Sequence, residues 1–150
     1  MIPFTVKPLA ELPADFGTLR DASVAEGFGM LPRLEQQWAE GKQFQREGEI
    51  LLGAMAGGQL VAIGGLTQTR EPHILRVRRV YVRPDFRRTG VGGTLMRALI
   101  AHAQSQNARE LELLTDTEAG ARFYESLGFI RVTEEGTTHR RCLAPIELTQ

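Results

Sequence analysis

One cysteine, Cys142, is all that this 150-residue chain carries. A single thiol excludes an intrachain disulfide and any cysteine-based metal cluster, and no metal is expected. No activating neighbour is visible beside it, so Cys142 reads as a small apolar strand residue rather than a nucleophile. Net charge is also missing: eighteen Lys and Arg cancel eighteen Asp and Glu. No global positive field therefore points to nucleic acid. No apolar run approaches the roughly 20 residues that span a bilayer, and the N-terminus lacks the charged-then-apolar pattern of a secretory signal. The expectation is a cytoplasmic protein that engages no membrane. Repeats, linkers and low-complexity segments are absent, and the length fits a single domain, residues 1–150, with a sizeable core.

What is present is concentrated between Val80 and Leu95. An apolar strand ends at Pro84, a basic turn follows, and Gly90, Gly92 and Gly93 open a helix. Backbone N–H groups at a helix start have no intrahelical acceptor and carry the positive end of the helix dipole. Glycine lets an anion approach them closely, and Arg87 and Arg88 add guanidinium groups suited to phosphate oxygens. Seven arginines (Arg70, Arg76, Arg78, Arg79, Arg83, Arg87, Arg88) fall in this part of the chain. Local positive charge on a neutral body predicts a compact phosphorylated ligand.

Around this stretch the patterning predicts alternating element types. Phe4–Lys7 reads as a short strand closed by Pro8. A helix is predicted from about Asp15, a candidate N-cap, to Glu26, with Phe16, Leu19 and Ser23 on one face. Gly27 and Gly29 break it, and a second helix aligns Leu31, Leu34 and Trp38 before Gly41. Glu49–Ala56 and Gln59–Thr67 form a hairpin about Gly57-Gly58, and Ile74–Val82 is a third long strand. Gly90 to about Gln106 is the strongest helix, with Val91, Leu95, Leu99 and Ala103 on one stripe. Leu111–Thr115 alternates as a strand, and Glu118–Leu127 is a helix ended by Gly128. Phe129–Glu134 and His139–Ile146 then pair around Glu135-Gly136. This order predicts an α/β (α+β) protein with a mixed, largely antiparallel central sheet flanked by helices.

Two motifs in this order resemble the GCN5-related N-acetyltransferase superfamily. The family's phosphate motif is Gln or Arg, two residues, Gly, one residue, Gly or Ala; Arg87-Arg88-Thr89-Gly90-Val91-Gly92 matches it. Its second signature, an aromatic-Tyr pair followed by Gly-Phe, matches Phe123-Tyr124 and Gly128-Phe129. The resemblance implies acetyl-CoA as cosubstrate and direct acetyl transfer to a primary amine through a tetrahedral intermediate. It implies that Arg87, Arg88, Thr89, Gly90, Val91, Gly92, Gly93 and Thr94 hold the diphosphate. It further implies that Val80, Tyr81 and Val82 pair with the pantetheine arm, where the fourth strand splays from the fifth. A backbone N–H there would polarise the thioester carbonyl. Tyr124 matches the tyrosine that protonates the leaving thiolate, a phenol having a pKa of about 10.

The base that takes the amine proton stays open among Glu112, His73 and a water path. Two positions depart from relatives: Arg76 stands where protein-lysine acetylating members often place a glutamate, and Thr117 where many carry an arm-contacting asparagine. The first favours a small-molecule amine over a histone-type acceptor. Arg76, Arg78 and Arg79 either line an acceptor pocket favouring an anionic substrate or are solvated. Phe28, Met30, Leu31 and Trp38 border the expected substrate mouth, Trp38 with an equal claim to the core. A nicotinamide-dinucleotide site is the rival for the glycines, but its third glycine falls at Leu95, a core position. From another class, a non-catalytic acyl-CoA-sensing module fits the same motifs. Relatives are often homodimers, and no feature of the chain decides assembly.

Overall fold

The computed structural model describes residues 2–144. Strand β1 (Thr5–Pro8) precedes helices α1 (Phe16–Ala25) and α2 (Met30–Glu40). Strands β2 (Ile50–Ala56), β3 (Gln59–Gln68) and β4 (Ile74–Val82) follow, then α3 (Val91–Ser105), β5 (Glu110–Leu113), α4 (Glu118–Ser126), β6 (Ile130–Glu134) and β7 (Thr137–Cys142). The seven strands make one sheet in the order β1-β2-β3-β4-β5-β7-β6. Only the β4–β5 pair is parallel. The mixed, largely antiparallel sheet expected from the sequence is the sheet observed.

Helices α1 and α2 cover one face, packing Leu19, Leu31 and Leu34 on Leu51, Leu60, Ile63 and Tyr81. Helix α3 and Tyr124 of α4 cover the other, on Leu52, Ala54, Leu66, Val77, Leu111 and Leu113. Covered on both sides, β3 is buried almost without interruption, which is why it reads as an apolar run. Gly57 and Gly58 both take positive φ (57° and 78°), as a two-residue hairpin turn requires.

Asp15 departs from its predicted role. It occupies the N-cap position of α1 but caps nothing; its carboxylate accepts the Leu60 N–H at 2.8 Å, tying α1 to the start of β3. The last strand begins earlier than predicted, at Thr137, because Glu135-Gly136 forms a tight turn with Gly136 at φ 75°. Pro145 and Ile146, placed by the sequence in that strand, lie outside the described residues.

Candidate acyl-CoA and acceptor site

Strands β4 and β5 pair only from Ile74–Arg76 to Glu110–Glu112. Beyond that β4 runs on to Val82, while the chain after β5 turns away: the Thr115 N–H donates to Thr138 Oγ1 on β7 at 2.9 Å. A wedge opens between two neighbouring strands. The Arg83 N–H donates to Val61 O on β3 at 2.8 Å. Backbone groups alternate along a strand, so those of Val82 and Val80 face the wedge and those of Tyr81 face β3. A bulge sits beside them: Ile63 pairs with Tyr81 but Gly65 with Arg78, leaving one extra residue in β4. Arg79, within it, is at φ 60°, a conformation that costs an L side chain about 1–3 kcal/mol. Such bulges re-aim the strand's groups.

At the far end of the wedge the chain crosses a 3₁₀ turn, Pro84–Phe86, and enters α3. Phe86 is buried, with the Arg83 guanidinium 4.9 Å from its ring centre. The Thr89 hydroxyl donates to Phe86 O, closing the loop. Arg88 and Gly90 take φ values of 63° and 90°. Past Arg87, the first amide with an intramolecular acceptor is that of Thr94, bonded to Gly90 O at 3.0 Å. The N–H groups of Arg88, Thr89, Gly90, Val91, Gly92 and Gly93 donate to no protein group among the described residues. Consecutive unpaired amides about left-handed residues form a concavity suited to an anion.

The glycines divide their work. Gly90 supplies the left-handed turn, with open space where a Cβ would be. A Cβ on Gly92 would lie 3.3 Å from Phe123 Cζ and from Val82 Cγ2, so Gly92 lets α3 approach α4 rather than admitting a ligand. Val91 is core. The Arg87 side chain has partners within the protein. Its guanidinium is held by Glu26 at 2.5 and 2.8 Å, donates to Val82 O at 3.2 Å and lies 5.5 Å from the Tyr81 ring centre. The Arg87 guanidinium, and then the Tyr81 hydroxyl, hold the Glu26 carboxyl below the usual carboxylate range. Arg88 is exposed and unpaired among the described residues. Tyr81 turns its side chain toward α1, donating from its hydroxyl to Glu26 at 2.5 Å, and its backbone faces β3, so neither borders the wedge.

Tyr124 is 9% exposed, its ring edge-on to Phe123 at 5.1 Å and Phe129 at 5.6 Å. It shares one core cluster with Val80, Val82 and Phe123. Burial pushes its phenol pKa well above the ordinary value. The hydroxyl bonds to no protein group, yet no enclosed polar side-chain atom among the described residues lacks a partner. The hydroxyl therefore reaches an opening. Thr117 caps α4, its Oγ1 accepting the Gly120 N–H at 3.0 Å.

The acid–base candidates on β4 and β5 are less free than the sequence suggests. Glu112 is 14% exposed at the side chain, with Oε2 against Arg76 at 2.5 Å and Oε1 against Arg140 at 3.4 Å. Arg76 is spent on this pair, on Thr137 Oγ1 and on Gly136 O at 2.7 Å, so it is not free to meet an acceptor. His73 lies at the opposite end of β4 from Val82, beyond Ile74, and its carbonyl accepts the Arg109 N–H at 2.8 Å. With β4 rising about 3.3 Å per residue, that end is remote from the bulge. Phe28 packs edge-on to Tyr81 at 6.2 Å, on the α1–α2 side.

Long-range partners escaped the sequence altogether. Glu26, read only as a helix end, joins Tyr81 to Arg87. His139 is 1% exposed, its Nε2 2.7 Å from Glu125 on α4 and its Nδ1 2.9 Å from Thr138. No local spacing signals either.

A central sheet parted between two parallel strands, with unpaired amides at the wedge's end, defines a class of fold in which an open strand edge leads to an anion-suited concavity. The comparisons give that class its family. A model of the acetyltransferase (GNAT) family matches residues 16–129, and the chain belongs to that family. The N-alpha-acetyltransferase RimI of Mycobacterium tuberculosis is 34% identical over 83 residues, 54% of this chain and 52% of that protein. The match thus spans about half the length of that curated relative. A crystal structure from Exiguobacterium sp. 255-15, provisionally named an acetyltransferase, superposes with TM-score 0.84 at 28% identity over 94% of both chains. The PaiA N-acetyltransferase of Thermoplasma acidophilum, crystallised with coenzyme A, shares the fold at TM-score 0.69 and 15% identity, over 94% of this chain and 99% of that one. Among the described residues no helix is long and apolar enough to cross a membrane.

Proposed function

We propose that this chain is an acetyl-CoA-dependent N-acetyltransferase acting on a small-molecule primary amine. The observation that carries the reading is the run of six amides, Arg88 to Gly93, with no acceptor of their own at the end of the β4–β5 wedge. They fit a diphosphate, with the exposed Arg88 beside them adding charge. The acyl donor supplies an activated thioester; the chain's own groups do the rest. Val80 and the Val82 N–H offer outward backbone groups to an extended arm, as an edge strand does to a peptide, the Val82 carbonyl being taken by Arg87. An N–H at the bulge stabilises negative charge developing on the thioester carbonyl. Tyr124, kept protonated by burial, delivers its proton to the departing thiolate. With Glu112 clamped by two arginines, water carries away the proton of the incoming amine.

That same clamping favours the second reading, an acyl-CoA-binding module without turnover. Calorimetric titration with coenzyme A, followed by acetyl-CoA consumption over a panel of amines, separates the outcomes. Binding with turnover supports the transferase, binding without turnover on any amine supports the module, and no binding overturns both.

A further inference from the structure

A cavity of about 360 Å³ opens beside β4 on the α2 side of the sheet. Its walls include Gln37 of α2, Lys42, Phe44 and Arg46 of the following loop, and Arg78 and Arg79 of β4. Arg79 belongs to the β4 bulge, so the cavity adjoins the backbone that faces the wedge.

Its arginines lack a carboxylate in salt-bridge contact among the described residues, and Glu112 and Glu49 offset the Arg78 charge only from a distance. Among the described residues no carboxylate pairs with Arg33, Arg46, Arg78 or Arg79. Arg79 donates only to Gln37 Oε1, at 2.9 Å. Lys42 is drawn off to Glu11 at 2.8 Å. The one wall carboxylate, Glu49, is turned to backbone, accepting the Arg46 N–H at 3.2 Å and the Gln68 N–H at 2.9 Å. Desolvation, then Arg76 and Arg33, lowers the Arg78 pKa; desolvation, then Arg78 and Arg33, lowers that of Arg79. These cations repel one another and have lost part of their water, an arrangement that calls for an anion.

The cavity is also built rather than incidental. Four non-glycine residues among those described have positive φ: Phe44, Arg79, Arg88 and Asn107. Arg88 shapes the amide concavity and Asn107 follows α3, but Phe44 and Arg79, both at 60°, stand on this cavity. The Phe44 ring is seated over Gly65, where a Cβ would come within 2.5 Å of it.

We propose that this cavity is the acceptor subsite for an anionic group: the small amine substrate carries a carboxylate or phosphate that Arg78 and Arg79 receive. The Phe44 ring lies along its carbon skeleton. This rests on the transferase reading and names the substrate class of that site.

Acetyl transfer is measured to matched amines: 4-aminobutyrate, its methyl ester and 1,4-diaminobutane; phosphoethanolamine and ethanolamine; and a peptide beginning Ala-Asp-Glu with its Ala-Asn-Gln counterpart. The anionic small amine is expected to lead its uncharged partner at least tenfold in kcat/KM. Arg78→Ala, at an exposed position, should remove that ratio, and Arg78→Glu should turn preference toward the diamine. Equal rates within each pair, an unaltered ratio in Arg78→Ala, or a stronger preference for the acidic peptide would overturn the proposal. Succinate and inorganic phosphate titrated into the coenzyme A-saturated protein give a readout independent of turnover. The arginine Nε–H resonances of Arg78 and Arg79 should shift, and unmoved resonances overturn the subsite. Failure of coenzyme A to bind overturns the transferase reading instead.

Discussion

Replacing Tyr124 by phenylalanine separates chemistry from folding unusually cleanly. The ring packs edge-on to Phe123 and Phe129, and phenylalanine keeps both contacts. The hydroxyl makes no hydrogen bond inside the protein, so its deletion leaves no polar partner stranded. Where no buried partner is orphaned, the stability change should stay within about 1 kcal/mol, or about 2–4 °C in Tm for a chain of this size. Proton donation to a leaving group typically contributes about 10²–10⁴-fold, which at 1.36 kcal/mol per decade is about 2.7–5.4 kcal/mol of barrier. Tyr124→Phe should therefore lose two to four decades of kcat (on the order of that catalytic term) at nearly constant Tm and coenzyme A affinity. Thiol release from acetyl-CoA under chemistry-limited turnover, circular dichroism melting and calorimetry read the three quantities. A kcat within threefold of the parent would refute the proton-donor role, and a Tm loss well beyond about 5 °C would show that the hydroxyl has a structural partner.

The raised Tyr124 pKa sets a pH window. Stability from the neutral phenol is fully present below the unfolded pKa of about 10 and is lost as pH rises through the higher folded value. No falling limb of kcat should belong to Tyr124 below pH about 9, and one that vanishes in Tyr124→Phe would contradict this. Glu112→Gln strips a carboxylate from Arg76 and Arg140 and should destabilise by about 1–3 kcal/mol in denaturant titration. Its kcat should fall less than about tenfold, whereas a loss of 10²-fold or more would restore Glu112 as the base. Gly65→Ala would press a Cβ to 2.5 Å from Phe44 Cε1 and 2.8 Å from the Ile50 carbonyl. It should cost about 1–3 kcal/mol of unfolding free energy, and an unchanged melting curve would show that β2 and Phe44 yield freely.

Several features were legible because their cause is local. The Gly57-Gly58 turn, the apolar stripe of α3 and the glycine opening that helix follow from φ preference and periodicity, which neighbouring residues set. The amide concavity was legible for the same reason, since Arg88 to Gly93 are consecutive. Side-chain roles were less so. The Arg87 guanidinium, whose spacing suits a phosphate, is paired with Glu26, a distant partner that no local pattern signals. Arg76 and Glu112, each a separate candidate, neutralise one another across the β4–β5 register.

The sequence by itself determined the element order, the glycine turn with its unpaired amides and the aromatic-Tyr and Gly-Phe pairs about α4, because each depends on residues within a few positions. Only the tertiary structure decided which charges are spent and which are left over. Ion pairing is a contest among groups brought together by folding: it silences Arg76, Arg87 and Glu112 and leaves Arg78 and Arg79 facing an open cavity. Spacing along a chain carries no record of that contest.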